Sequence, residues 1–395
     1  MSVAPSAAAE TAGPPLGLLA LAAFASMAAM RACDSLLPGL ATSFGVSTGM
    51  AAQTIAAFAV AYGLLQVVYG PLGDRRGKLR VITLAAVGCA LASLGMARSH
   101  SLSEALAWRA LAGAAGGGIV PLALALIGDT VAYERRQVVL TRLSMATISG
   151  AIAGQWLGGV VADAWGWRTV FVGIGALFAV VAAALWRGLR ATQAPAPVTQ
   201  PFAQQVGGVL RAPWARVVLI VVALEGAIGF AAFSFVPAHL HAAFGLSLGQ
   251  SGAVMALYGV GGLAWALNAK WLIPRLGERG LVLGGGALLC LAMGLLAMAD
   301  AWIWAAPGCL LGGIGVFMLH STLQTHATQM APQSRGTGVS LFALSLFAGQ
   351  SLGVTLGALA MDLSSPRVVF GAAMVLLPLL ALTFGHLLAR HHRGH

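Results

Sequence analysis

Charge is what this sequence has least of. Lysine, arginine, aspartate and glutamate make up 8% of the chain while 59% of it is hydrophobic; an ordinary soluble domain carries about 25% charged residues. A water-soluble protein of this composition would have too little polar surface to cover itself. Acid is the scarcer sign, with eleven Asp and Glu against 22 Lys and Arg. Cysteine is rare too. Cys33, Cys89, Cys290 and Cys309 all sit inside apolar stretches and form no CxxC pair, so they read as small core residues rather than a disulfide frame or a metal centre. No GxxxxGK[ST] phosphate loop, nucleophile elbow or metal-ligand cluster occurs, so direct ATP use, a cofactor and enzyme activity are not expected. The tail histidines His391, His392 and His395 form too short a run to count as a metal site. The first ten residues carry no basic charge and the first apolar stretch leads straight into others, so a cleaved signal peptide is not expected.

Apolar runs of bilayer length are what the chain has in abundance. A hydrocarbon core about 30 Å thick needs roughly 20 apolar residues per helix. Twelve such spans are predicted, near 16–41, 51–71, 79–97, 104–128, 142–162, 168–186, 215–240, 250–271, 281–299, 303–328, 338–360 and 368–388. The net charge of +11 follows their spacing. With both termini in the cytoplasm, most basic residues fall in inner loops (Arg75, Arg76, Lys78, Arg80, Arg135, Arg136, Arg142, Arg187 and others), and few fall outside (Arg98, Arg168, Arg367). That asymmetry is the positive-inside rule. The basic charge thus signals a multi-pass protein of a bacterial inner membrane and implies no nucleic-acid partner.

The sequence also repeats itself. Phe44-Gly45-Val46-Ser47-Thr48-Gly49 recurs as Phe244-Gly245-Leu246-Ser247-Leu248-Gly249, and Arg75-Arg76-Gly77 as Arg275-Leu276-Gly277, 200 residues on. Asp163 with Arg168, Val170 and Phe171 recurs as Asp362 with Arg367, Val369 and Phe370, 199 residues on. Three ordered matches at nearly one shift imply a duplication. The expected fold is therefore an all-α membrane protein of twelve transmembrane helices in two pseudo-symmetric six-helix bundles. Its parts would be a cytoplasmic tail (1–15), a first half (16–186), a linker (187–213) with Pro195, Pro197 and Pro201, a second half (214–388) and a short cytoplasmic tail (389–395).

The loop after span two reads Gly70-Pro71-Leu72-Gly73-Asp74-Arg75-Arg76-Gly77-Lys78-Leu79-Arg80. It resembles the signature of the major facilitator superfamily, whose architecture the duplicated six-span halves also match. Within that superfamily the chain is similar to the twelve-helix drug:proton antiporters and predicted efflux permeases. Asp34 through Pro38 resembles that branch's acid-then-proline pattern in span one, and Arg109 before Leu111-Ala112-Gly113 its span-four arginine. The span-five antiporter motif is present in its glycines (Gly150, Gly154, Gly158, Gly159), but Gln155 stands where the motif has proline. Proline would kink the helix, so its loss weakens the antiporter likeness.

The resemblance implies a cytoplasmic latch. Asp74 would touch the start of span eleven, and Lys78 would pair with Asp129 at the foot of span four. Gly70, Gly73 and Gly77 would allow the tight turn, and the gating set is completed by Arg75 and Arg109. Pro274 fills the Asp74 position of the second half, so the latch would be one-sided.

Arg31, Asp34, Arg109 and Glu225 are the four ionisable side chains, histidine aside, that lie well within spans. A charge at membrane depth costs about 2.5–3.5 kcal/mol or more, so each needs a partner or a wet path. Arg31 and Asp34 share a helical face and can meet, as a proton-coupled pair or a permanent salt bridge. Glu225 has no cation nearby in sequence, which suits a proton carrier or a hydrogen-bonded neutral acid. Span ten adds His320 and Gln324, one turn apart, as polar cavity residues. Gln155, Trp156, Phe58, Tyr62, Phe230, Phe233 and Tyr258 fall in spans that line the cavity of this fold, and such rings suit an amphipathic organic substrate.

The leading expectation is secondary active transport: proton-coupled export of a small amphipathic organic compound or drug by alternating access. The partners are then a small-molecule substrate, protons and the lipid bilayer, and the default state is a monomer. Proton-coupled uptake of an organic anion, with Arg31 supplying the positive charge, is the same-class alternative. A transport-inactive membrane sensor or scaffold is the alternative of another class; it predicts a large accessory domain or tail.

Overall fold

A backbone in hydrocarbon finds no water to bond with, so each apolar run closes into an α-helix that satisfies its own amides. The computed structural model describes residues 15–189, 202–332 and 335–393. It contains α1 (Leu16–Phe44), α2 (Thr48–Arg76), α3 (Lys78–Ala97), α4 (Leu102–Gly116), α5 (Ile119–Thr130), α6 (Tyr133–Trp165), α7 (Trp167–Gly188), α8 (Phe202–Arg211), α9 (Pro213–Phe233), α10 (Val236–Phe244), α11 (Leu248–Met298), α12 (Ala305–Gln329), α13 (Arg335–Leu363) and α14 (Pro366–Arg393). No strand occurs among the described residues. The N-terminal tail up to residue 14, the proline-bearing middle of the linker (190–201) and residues 394–395 lie outside the described residues; the rest of the linker carries the short helix α8.

Eleven stretches are long and apolar enough to cross a bilayer. The longest, α11, runs for 51 residues and is divided by Gly277, whose φ of 62° and ψ of 174° are not helical. At about 1.5 Å per residue it is more than twice the hydrocarbon thickness, so it supplies two crossings and completes the expected twelve. Two spans expected as single helices are broken. Span four divides into α4 and α5 at Gly117–Gly118, and span seven into α9 and α10 just before Pro237.

The duplication read from the sequence is visible in the backbone. Gly45 and Gly245 end α1 and α10 at φ of 63° and 68°, and Gly77 and Gly277 turn the chain at φ of 87° and 62°. Glycine is the residue best suited to such positive angles. The packing repeats as well. α1 lies on α6, and α9 lies on α13 in the same way. A Cβ on Gly154 would collide with the Ala28 backbone, and one on Gly353 with the Ala227 backbone. These positions are 199 residues apart on both sides of the contact, so each half builds its central helix pair by the same small-residue approach.

The halves meet through α2 against α13 and α6 against α11. Their shared surface is concentrated at the end of the molecule opposite the termini, called distal below. There the core of the first half takes in Phe235, Ala238, Val354 and Ala358 from the second. The cross-half hydrogen bonds among the described residues lie at that end too, including Thr355 Oγ1 to Gln53 Oε1 at 3.2 Å.

Replacing Gly154 by leucine should force α1 from α6 and cost about 1–3 kcal/mol of packing strain. Thermal melting in detergent would register a clearly lower midpoint, whereas Gly173→Leu, in open space, should leave it nearly unchanged.

Candidate functional site

The acid-bearing helices bring their charges to the middle of the molecule. Arg31 and Asp34, one turn apart on α1, pair as expected, with Arg31 Nη1 3.2 Å from Asp34 Oδ2. Gln155 of α6 donates its amide Nε2 to the same Oδ2 at 3.0 Å. The residue that replaces the motif proline thus ties span five to the acid of span one. Asp34 is fully buried, and its Oδ1 has no hydrogen-bond partner. Arg31 Nη1, although at ion-pair distance, is not aligned for a hydrogen bond. The Arg31 guanidinium lies 5.1 Å from the ring centre of Phe230 in the other half.

In the second half Glu225 of α9 finds the partner that its local sequence lacks. His320 Nδ1 of α12 lies 2.8 Å from Glu225 Oε2, while Oε1 is buried without a hydrogen-bond partner. Arg31, Glu225 and His320 share the wall of a cavity of about 190 Å³. Phe230, Phe233, Tyr258 and Phe317 supply half of the remaining wall residues, so it is an aromatic-rich apolar chamber with one guanidinium and one carboxylate–imidazole pair.

Six sequence-predicted residues meet there: Arg31, Glu225, Phe230, Phe233, Tyr258 and His320. The others stand elsewhere. Asp34 and Gln155 lie behind Arg31. Phe58 and Tyr62 are buried in a stack, rings 5.6 Å apart, with Phe347 across the half boundary 4.7 Å from Tyr62. Trp156 is 45% exposed and lines a separate cleft beside Asp163 and Gly249. Gln324 is exposed, one turn beyond His320 on α12. Phe317 is the ring that sequence reasoning missed; it sits three residues before His320, and that helical offset was the available signal.

Arg109 is a staple. Nη1 donates to Ala29 O at 2.9 Å, Nε to Thr54 O at 3.2 Å and Nη2 to Met30 O at 3.5 Å, while the guanidinium lies 4.2 Å from the centre of the Phe58 ring. One buried cation thus joins α4 to α1 and α2. At the terminal end, Lys78 Nζ lies 2.8 Å from both Asp74 Oδ1 and Asp129 Oδ2. The expected Lys78–Asp129 pair is therefore present. Asp74 bonds within its own half instead, and no hydrogen bond joins it to the start of α13 among the described residues. The turn is made at Gly77 alone; Gly70 sits within α2 in open space, Gly73 packs on Leu122 of α5, and Arg75 is exposed.

His326, on another face of α12, accepts the Trp214 indole N–H at Nδ1 (3.2 Å), and its Nε2 lies 3.1 Å from Glu278. His392 Nε2 lies 3.4 Å from the same carboxylate. This triad has the donor types of a metal site, but they do not fit one here. With Nδ1 accepting from Trp214, the Nε2 of a neutral imidazole carries the proton and has no lone pair for a metal.

Two helical bundles enclosing a chamber with buried charges define a membrane carrier. The chain belongs to the Major Facilitator Superfamily, whose model matches residues 19–353. It is similar to the uncharacterized MFS-type transporter YceJ of Bacillus subtilis (strain 168), 26% identical over 336 residues that cover 81% of this chain and 82% of YceJ. It is 28% identical over 186 residues to the probable multidrug resistance protein EmrY of Escherichia coli (strain K12), a match covering 46% of this chain and 36% of EmrY. The crystal structure of the POT family transporter PepTSo superposes with a TM-score of 0.78 over 96% of this chain and 98% of that one, at 14% identity, a likeness of fold alone. These relatives are transporters, not enzymes.

Arg109→Lys should not rescue Arg109→Gln, because an ammonium cannot fork to three carbonyls as a guanidinium does. Both variants should lose about 1.5–3 kcal/mol of stability, read as a lowered melting midpoint in detergent.

Proposed function

We propose that this protein is a proton-coupled exporter of small amphipathic organic compounds that works by alternating access. One observation carries the proton. Asp34 and Glu225 each have one oxygen held (by Gln155 and Arg31, and by His320) and the other buried without a hydrogen-bond partner. A carboxylate with a bare buried oxygen is poorly solvated, and protonation at that oxygen removes the charge at lowest cost to the bonds already formed. Two such acids, one in each half and linked through Arg31 and the chamber, make a proton-binding centre beside the substrate. The aromatic wall favours rings and alkyl groups. The export direction draws on the resemblance to drug:proton antiporters and on relatives such as EmrY that are named for multidrug resistance.

The same reading places the protein in the bacterial inner membrane as a monomer, with its termini and the Asp74–Lys78–Asp129 cluster facing the cytoplasm. It divides the chain into halves at 16–186 and 214–388, joined by 187–213.

A second reading has support of its own. Arg31 lines the chamber, and its Nη1 has no aligned hydrogen-bond acceptor, which leaves its positive charge available to an organic anion. Proton-coupled uptake of such an anion is the alternative.

The test uses proteoliposomes with a pH-sensitive dye inside, an imposed pH gradient and a panel of lipophilic cations, neutral drugs and organic anions. Substrate-driven proton flux is expected and should fall at least about tenfold in Glu225→Gln and Asp34→Asn, which corresponds to about 1.4 kcal/mol. Its direction separates export from uptake. Unchanged proton flux in both variants, or labelled-substrate exchange with no proton movement at all, would overturn the coupling.

A further inference from the structure

The carboxylate bonds that cross between the halves at the distal end come in two copies. Asp163, near the end of α6, accepts the backbone N–H groups of Leu248 (3.0 Å) and Gly249 (2.7 Å) at the start of α11. Asp362, near the end of α13, accepts the N–H of Gly49 (3.2 Å) and the hydroxyl of Ser47 (2.5 Å) at the start of α2. Each carboxylate leaves one half and lands on the first turn of a helix in the other.

A helix start has amides that the helix cannot satisfy and a partial positive charge, both complementary to a carboxylate. The two receiving ends divide these amides alike. Ser47 takes the N–H of Met50 and Ser247 that of Gln250, at 3.0 and 3.2 Å, which leaves the earlier amides to the incoming acid. Glycine makes the room. A Cβ on Gly49 would collide with the Asp362 carboxylate, and one on Gly249 would lie 3.1 Å from that of Asp163. The repeated Phe-Gly-x-Ser-x-Gly is therefore a carboxylate receptor, and the repeated aspartate is what it receives.

Beside each aspartate is an arginine that does not cross. Arg168 Nη2 donates to Ser99 O at 2.9 Å and Arg367 Nη2 to Ala299 O at 3.0 Å, each within its own half. The arginine fixes the loop to its bundle, so the aspartate travels with that bundle when the halves rotate.

We propose that Asp163 and Asp362 are the paired latches of a distal gate, which hold the path closed on that face and must both release for substrate to pass. Their bonds suit this task. Water can replace the acceptor on each amide and the donors on each carboxylate once the ends part, so the latch holds without trapping the carrier in one state. The gate stands independently of proton coupling, since it is a statement about two helix ends and two acids remote from the chamber.

The experiment reads geometry, without substrate or gradient. In a background lacking the four native cysteines, one spin-label pair is placed on the distal loops (His100→Cys, Ala301→Cys) and another near the terminal end (Val138→Cys, Val339→Cys). Distances are measured by pulsed electron resonance in nanodiscs, before and after Asp163→Ala plus Asp362→Ala. The ratio of closed to open distal distances is expected to fall about tenfold, with the terminal pair moving closer. Asp163→Asn and Asp362→Asn keep the side-chain shape should the alanine variant fail to fold, and Gly49→Ala, which crowds the receptor while sparing the acid, should open the same face. Unchanged distal distances in a folded double variant would overturn the proposal, and so would distal widening with no terminal closure, which is local fraying.

Discussion

A charge inside hydrocarbon must take its partners with it, and most of what is particular to this molecule follows from that. The ionisable groups solve the problem in three ways. Arg109 spreads its charge over three backbone carbonyls and an aromatic face, which joins three helices permanently. Lys78, at the membrane edge, serves two carboxylates from a partly exposed position, where such pairs are weak individually. Arg31, Asp34 and Glu225 are satisfied only in part. Incomplete satisfaction is costly in a static structure, and among these charges it falls on Arg31 and Glu225, which line the chamber, and on Asp34 beside Arg31.

The halves are bound to each other at the distal end by an additional kind of contact. Within each half, glycine lets backbones approach so closely that the contact is van der Waals and continuous, as at Gly154 and Gly353. Between halves, at the distal end, carboxylates meet helix starts through a few directional bonds whose loss water can make good. Glycine contacts cross the boundary as well, since a Cβ on Gly252 would collide with the Gln155 backbone and one on Gly159 with that of Leu248, so the carboxylate bonds add a directional contact to a packed seam.

How legible this was in the sequence differs residue by residue. The repeat around Phe44 and Phe244 was plain, since the left-handed backbone at Gly45 and Gly245 strongly favours glycine and so left a sequence trace. The Arg31–Asp34 pair was legible because three residues on one helix suffice to predict it. Glu225 was recognised as lacking a local cation, but its partner lies 95 residues on, and no local pattern links them. The aromatic positions were the least legible. Phe58, Trp156 and Phe230 look alike as apolar helix residues, yet one supports Arg109, one faces a side cleft and one lines the chamber.

The sequence by itself determined the solvent, the twelve crossings, the duplicated halves and the identity of the charges that had to be paired, because hydropathy, glycine angles and helical offsets are local quantities. Tertiary structure decided which ring faces the chamber, that Gln155 serves Asp34, that His320 serves Glu225 and that Asp163 and Asp362 reach across. Those outcomes depend on how each helix is rotated and tilted against the others, and helix rotation is fixed by contacts among segments far apart in the chain.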